Sequence, residues 1–331
     1  MIDVAGEVHG RVPSGVRPGI RPDMTEMTPS SGGAGSAKSA PAKAMSHRRG
    51  MNDRYAPVWM HLVAVVVIVV FLAPFAWLAI ASVTSPSDLL RRPLRWWPQH
   101  LDLSRWADIF TGDANTPAGG FRSAMVNSAI VAAGTVTLSV AVAVLGAYAV
   151  SRLKFRGRGI TVLGFLSTYM IPPIAIVIPL YLILVRIGLL DNRLGLILVY
   201  SSFITPFVLW TLTNFFDALP REIDEAATID GAGRMRILWQ VLLPLAKPGL
   251  FSAILFATML CWDEFLYALI FTSTPASKTI PVAVAEFSGK FATDFGLLSA
   301  GGLLAAIPPV VVALVFQRYV TAGLAAGGVK G

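Results

Sequence analysis

The sequence predicts an all-α, polytopic membrane protein, and three observations carry that prediction. Of 331 residues, 55% are hydrophobic and only 14% are charged, with a positive mean hydropathy, a balance too apolar for a soluble protein of this length. The apolar residues gather into six runs, each near or above the roughly 20 residues a helix needs to cross a bilayer. Bases and acids are concentrated between those runs.

The formal net charge of +8 does not point to nucleic acid. The bases sit in short loops and in the N-terminal stretch, with no basic stripe interleaved with aromatics. The single cysteine, Cys261, lies inside an apolar run, so no intramolecular disulfide framework exists. No G-x-x-x-x-G-K-[ST] loop is present, so ATP hydrolysis has to come from another chain.

Residues 1–54 are rich in Gly, Ser, Pro and Ala and read as a disordered cytoplasmic tail, or as a misassigned start with Met45 or Met51 as initiator. No apolar core suited to a secretory signal precedes Val58. Residues 55–331 then form the membrane domain. Its first span is 58–83, with Pro74 inside and His61 near the cytoplasmic end. A polar connection follows with Trp96, Trp97 and Trp106, open to two readings: an interfacial aromatic belt or a docking surface. The second span, 124–150, is built from Ala, Gly, Ser and Val, which allow close helix packing in a membrane. Arg152, Lys154, Arg156 and Arg158 follow without an acid, which places that loop on the cytoplasmic side.

The third span, 160–185, contains Tyr169-Met170-Ile171-Pro172-Pro173. Consecutive prolines break the hydrogen-bond ladder, so this point is either a packing kink or a feature of a translocation path. The fourth span is 194–216, the fifth 249–271 and the sixth 295–319. Six spans put both termini in the cytoplasm and the loops at 152–158 and 217–248 on one side.

The 217–248 loop is the most informative stretch. Glu222, Asp224 and Glu225 favour the positive end of a helix over 222–230, opened by Pro220. Ile223, Ala226 and Ala227 give that helix a narrow face of little bulk, suited to close approach. Gly231 is expected to end it in a left-handed conformation. A second amphipathic pattern, Met235, Leu238, Trp239, Leu242 and Leu243, runs up to Pro244.

Glu225-Ala226-Ala227, then Asp230-Gly231-Ala232, then Val241-Leu242-Leu243-Pro244 resembles the EAA loop of the membrane permease subunits of binding-protein-dependent ABC importers. The run Met170 to Pro173, the Trp262-Asp263-Glu264-Phe265 cluster and the closing Gly327 to Gly331 look like the carbohydrate branch, the maltose and glycerol-3-phosphate type. The resemblance implies the type I permease architecture in a bacterial cytoplasmic (inner) membrane. It also implies a second permease subunit, an ATP-binding cassette ATPase dimer that carries ATP and Mg, and an extracytoplasmic solute-binding protein. The chain itself binds no cofactor or metal under this reading. The coupling residues it implies are Glu225, Ala226, Ala227, Asp230, Gly231, Ala232, Leu243 and Pro244. A stand-alone secondary transporter and a permease for a non-carbohydrate solute are the alternatives.

Trp262, Asp263 and Glu264 fall about 20 Å along the fifth span at 1.5 Å per residue, where unpaired carboxylates are costly. One carboxyl is expected to be protonated, or to pair with Arg186 or Lys278. Two roles are open: bracing the fifth span against a neighbour, or lining the solute path with Trp262 as a stacking platform, together with Pro172 and Pro173.

Overall fold

The computed structural model describes residues 58–93, 96–289 and 293–327. The expected tail at 1–54 and the closing residues 328–331 lie outside them. The described chain is a bundle of helices. Four are long and apolar enough to cross a membrane, Val58–Ser82, Pro117–Arg152, Arg193–Ala218 and the last helix from Phe295, and two sharply bent pairs bring the count to as many as six.

The bundle centres on Pro117–Arg152 packed along Arg193–Ala218. Small residues permit the approach: a Cβ on Gly134 would lie 2.6 Å from Ile197 Cδ1, and one on Gly146 2.7 Å from Leu209 Cδ1. The core around this contact includes Val131, Ala147, Tyr200, Ile204 and Leu212. Val58–Ser82 packs along Phe295–Gly327 and leaves most of its first 15 side chains exposed.

The second helix begins at Pro117, before the expected start at 124. Thr116 caps it by accepting a bond from Gly119 N at 3.2 Å, and Pro117 fits the first turn because its missing N–H has no partner to lose. Hydropathy hid this turn because it holds two glycines and Arg122.

The third span is divided as its prolines imply. Arg158–Ser167 and a 3₁₀ turn, Thr168–Met170, lead to Pro172, and Pro173–Arg186 restarts at a 96° angle. The fifth span departs from the expected continuous helix. Lys247–Trp262 stops at Asp263, and Leu266–Phe271 resumes after a break at 263–265.

At one end of the bundle the connections are knitted together. Buried Arg105, on the short helix Ser104–Thr111, donates to Thr84 O at 2.7 Å and to Asp294 Oδ1 at 3.0 Å. Asn127 donates to the carbonyls of Pro275 and Lys278 at 3.0 and 2.9 Å. Asp191 accepts from Ser273 N at 2.8 Å, Thr274 N at 3.1 Å and the Ser277 hydroxyl. Of the tryptophans expected in a belt, Trp106 is half-buried against the core beneath this end, whereas Trp96 and Trp97 are exposed.

Candidate functional site

At the opposite end lies the short helix Glu222–Ile229. Arg221 occupies its N-cap position, so Pro220 precedes the helix rather than opening it. Its C-terminal end is a Schellman motif: Gly231 N donates to Thr228 O at 3.0 Å, and Ala232 N donates to Ala227 O at 2.9 Å. Gly231 has φ +81°, as the sequence led one to expect, and nothing lies within 4 Å of a Cβ built there.

The orientation of the helix revises the expected contact face. Ile223 and Ala227 are half-buried, and Ala227 and Ala232 pack on the main core. Glu222, Glu225, Ala226 and Ile229 form the outward stripe at i, i+3, i+4 and i+7, with Ile229 86% exposed. Ala226 thus belongs with Ile229, which the sequence reading left out, and not with Ile223. Periodicity alone could not separate two apolar edges on so short a helix. Asp230 is exposed at the C-cap.

One ionic contact ties this helix to the second span, and a second joins the start of the third span to the end of the fourth. Arg152 Nε lies 3.0 Å from Asp224 Oδ2, in ion contact without an aligned hydrogen bond, while Arg152 Nη2 donates to Leu219 O at 3.0 Å. Asp217 accepts from the Ser151 hydroxyl at 2.6 Å and from Arg158 Nη2 at 3.1 and 3.2 Å. Burial lifts the Asp224 carboxyl above its ordinary value although Arg152 and Arg221 draw it down. The sequence showed these arginines only as a topology signal. Two acids flanking the next loop were the cue to their second role.

After Gly233 the chain runs through Arg234–Ile237, a π turn at Leu238–Leu242 and Leu243–Leu245. Half-buried Leu243 packs on the core, and Pro244, exposed, cannot donate backward. The chain turns by 80° there into Lys247–Trp262.

The second group of singled-out residues lies at the breaks in the third and fifth spans. Pro172 and Pro173 are exposed at the turn, which is fastened to the fourth span by the Tyr169 hydroxyl donating to Phe203 O at 2.7 Å. Trp262 Nε1 donates to Ala305 O at 3.1 Å. That carbonyl stands four residues before Pro309, which has no N–H to give it, so the indole closes a gap in the last helix. Trp262 also walls an apolar cavity of about 560 Å³ beside Met125, Pro308 and Pro309.

Glu264 is satisfied by backbone rather than by a base. Its Oε1 accepts from Tyr267 N at 2.8 Å and its Oε2 from Ala268 N at 3.2 Å, the free donors at the start of Leu266–Phe271. Lys278, expected as a partner, binds Glu286 at 2.6 Å, and Arg186 forms no ion pair among the described residues. The expected pairing with a base is not formed, because a helix break supplies donors that an unbroken span lacks. Asp263 is exposed and has no ion pair among the described residues.

Apolar spans broken within the bundle, and a short helix held against it by an ion pair, define a multi-pass helical membrane protein of the transport-permease class. The chain belongs to the family described as binding-protein-dependent transport system inner membrane component, whose model matches residues 136–325. It is 33% identical to the sulfoquinovosyl glycerol transport system permease protein SmoH of Agrobacterium fabrum, over 82% of this chain and 93% of that protein. It is 36% identical to the trehalose transport system permease protein SugB of Mycobacterium tuberculosis, over 85% of this chain and 100% of that one. Its fold is similar to a chain in the crystal structure of a bacterial ABC transporter involved in the import of the acidic polysaccharide alginate. That match has a TM-score of 0.67 and 23% identity, covering 80% of this chain and 99% of the other. The chain is therefore a non-enzymatic translocation subunit of an ABC transport system that works with a binding protein.

Proposed function

We propose that this chain is one of two permease subunits forming the path for a sugar, or a related polyol or glycerophosphate, across a bacterial cytoplasmic membrane. Both termini and the 217–248 loop face the cytoplasm, where a separate ATPase dimer binds ATP and Mg. An extracytoplasmic solute-binding protein delivers the solute to the other face. Sugar-transport names among the relatives support the solute class.

The observation that carries the mechanism is the outward stripe Glu222, Glu225, Ala226 and Ile229 on a helix clamped to the second span through Arg152–Asp224. Ala226 leaves room for close approach, Ile229 supplies apolar contact, and Glu225 and Asp230 meet polar groups of the ATPase. Ala227, Gly231 and Ala232 shape the helix end, while Leu243 and Pro244 set the turn into the fifth span. Movement of the docked helix is passed to the second span through Arg152–Asp224, and Arg158–Asp217 couples the third span to the end of the fourth.

For the solute path we assign Asp263, with Pro172 and Pro173, as the acceptor and the irregular backbone at the break; Glu264 caps the helix that follows, and Trp262 ties the fifth span to the last helix. The test is reconstitution with a cognate binding protein, second permease and ATPase, with uptake measured over a panel of labelled sugars and polyols. ATP-dependent uptake of one of these is expected. Uptake that proceeds without the ATPase would identify a secondary transporter instead.

A further inference from the structure

We propose that the loop joining the second and third spans holds the phosphate headgroup of an anionic lipid, and that this site touches the coupling machinery directly. The loop borders an open pocket of about 440 Å³ whose lining includes Arg152, Lys154, Arg156, Arg158 and Arg221, with no acidic residue in the wall. Arg152 and Arg158 are engaged by Asp224 and Asp217. Lys154, Arg156 and Arg221 are exposed and form no ion pair among the described residues, although Arg221 is near enough to Asp224 to draw its pKa down. The cavity thus presents an uncompensated excess of positive charge.

The ligand chemistry follows from what borders that charge. Phe155 is 43% exposed, and immediately beyond the cavity the half-helix Arg158–Ser167 turns Ile160 and Leu163 outward, 77% and 67% exposed. Bases beside an outward apolar helix suit a molecule with a phosphate at one end and acyl chains at the other, and basic pockets at the cytoplasmic ends of spans bind such headgroups. A soluble phosphate ester shares the headgroup chemistry but leaves the apolar flank uncovered. Because Arg152 lines the cavity and also holds Asp224, a bound phosphate competes for the base that fixes the coupling helix. Lipid occupancy therefore tunes how firmly that helix is held.

This inference rests on the proposed membrane sidedness, which is checked separately by labelling a Lys154→Cys variant in right-side-out and inverted vesicles. The site is tested by native mass spectrometry of the full-length chain with its co-purified subunits, equilibrated with phosphatidylglycerol or phosphatidylcholine. Wild type should retain phosphatidylglycerol in preference, and Lys154→Gln/Arg156→Gln should retain it about thirtyfold less well, at about fivefold per base. Arg236→Gln/Lys247→Gln, which removes exposed bases of the coupling loop outside this cavity, should behave as wild type. Equal retention of the two lipids, or unchanged retention by Lys154→Gln/Arg156→Gln, overturns the proposal. Complete displacement of lipid by soluble glycerol phosphate assigns the site to free phosphate esters and overturns it as well. Labelling of Lys154→Cys from the outer side with lipid retention intact counts against the sidedness and leaves the lipid site standing.

Discussion

Gly231 and Asp191 show what single residues contribute at the two ends of the bundle. Gly231 has φ +81° in open space, so a substitution there meets only backbone strain. Gly231→Val is expected to cost about 1 kcal/mol or more in local stability and to lower transport, while Gly231→Asn costs less. Equal uptake by both variants would remove the argument. Asp191 is held differently. Burial raises its carboxyl, but the Ser273 and Thr274 amides and the Ser277 hydroxyl outweigh burial and keep the pKa below its ordinary value. That stabilisation is complete above about pH 4, where an unfolded aspartate is ionised, and is lost as pH falls through the lower folded value. The thermal midpoint of the purified chain should fall as pH drops below about 4, and Asp191→Asn should flatten that fall. Gly231 was legible because only a helix-ending residue fits between Asp230 and Gly233. The bonds of Asp191 were not, since they depend on a loop some 80 residues away.

At the scale of elements, periodicity and length placed the apolar runs, and paired prolines marked the break in the third. The break in the fifth carried no proline; Asp263 and Glu264 read as charges in need of a base, when their position is a helix end whose amides serve Glu264. The structure therefore separates the two acids. Glu264→Gln should lower stability by weakening the bonds that start Leu266–Phe271. Asp263→Asn should leave the midpoint unchanged and alter uptake or solute preference; unchanged uptake in an assembled complex would remove Asp263 from the path. The Trp262 link to the last helix has its own check. Trp262→Phe is expected to cost about 1 kcal/mol by leaving Ala305 O unpaired. In a Pro309→Ala background that carbonyl regains its own helical donor, so the same change should cost measurably less; an equal cost in both backgrounds would contradict the assignment.

Across the whole molecule, the 217–248 loop in the sequence and the Arg152–Asp224 pair in the structure belong to one proposed device. The residues of the proposed coupling helix and its end divide between shaping that end, through Ala227, Gly231 and Ala232, and forming the outward face, through Glu225, Ala226 and Ile229. Sequence pattern revealed the helix and its family; its rotation, and the clamp formed by Arg152, required the packed bundle. The central claim is that the outward face seats in the ATPase. It is tested most directly by measuring ATPase co-purification and the ratio of solute moved to ATP hydrolysed for Ala226→Trp in the reconstituted transporter. An indole on that exposed position has room within this chain, so the fold should persist while the ATPase is released or hydrolyses ATP without uptake. Normal assembly with a wild-type ratio would contradict the claim.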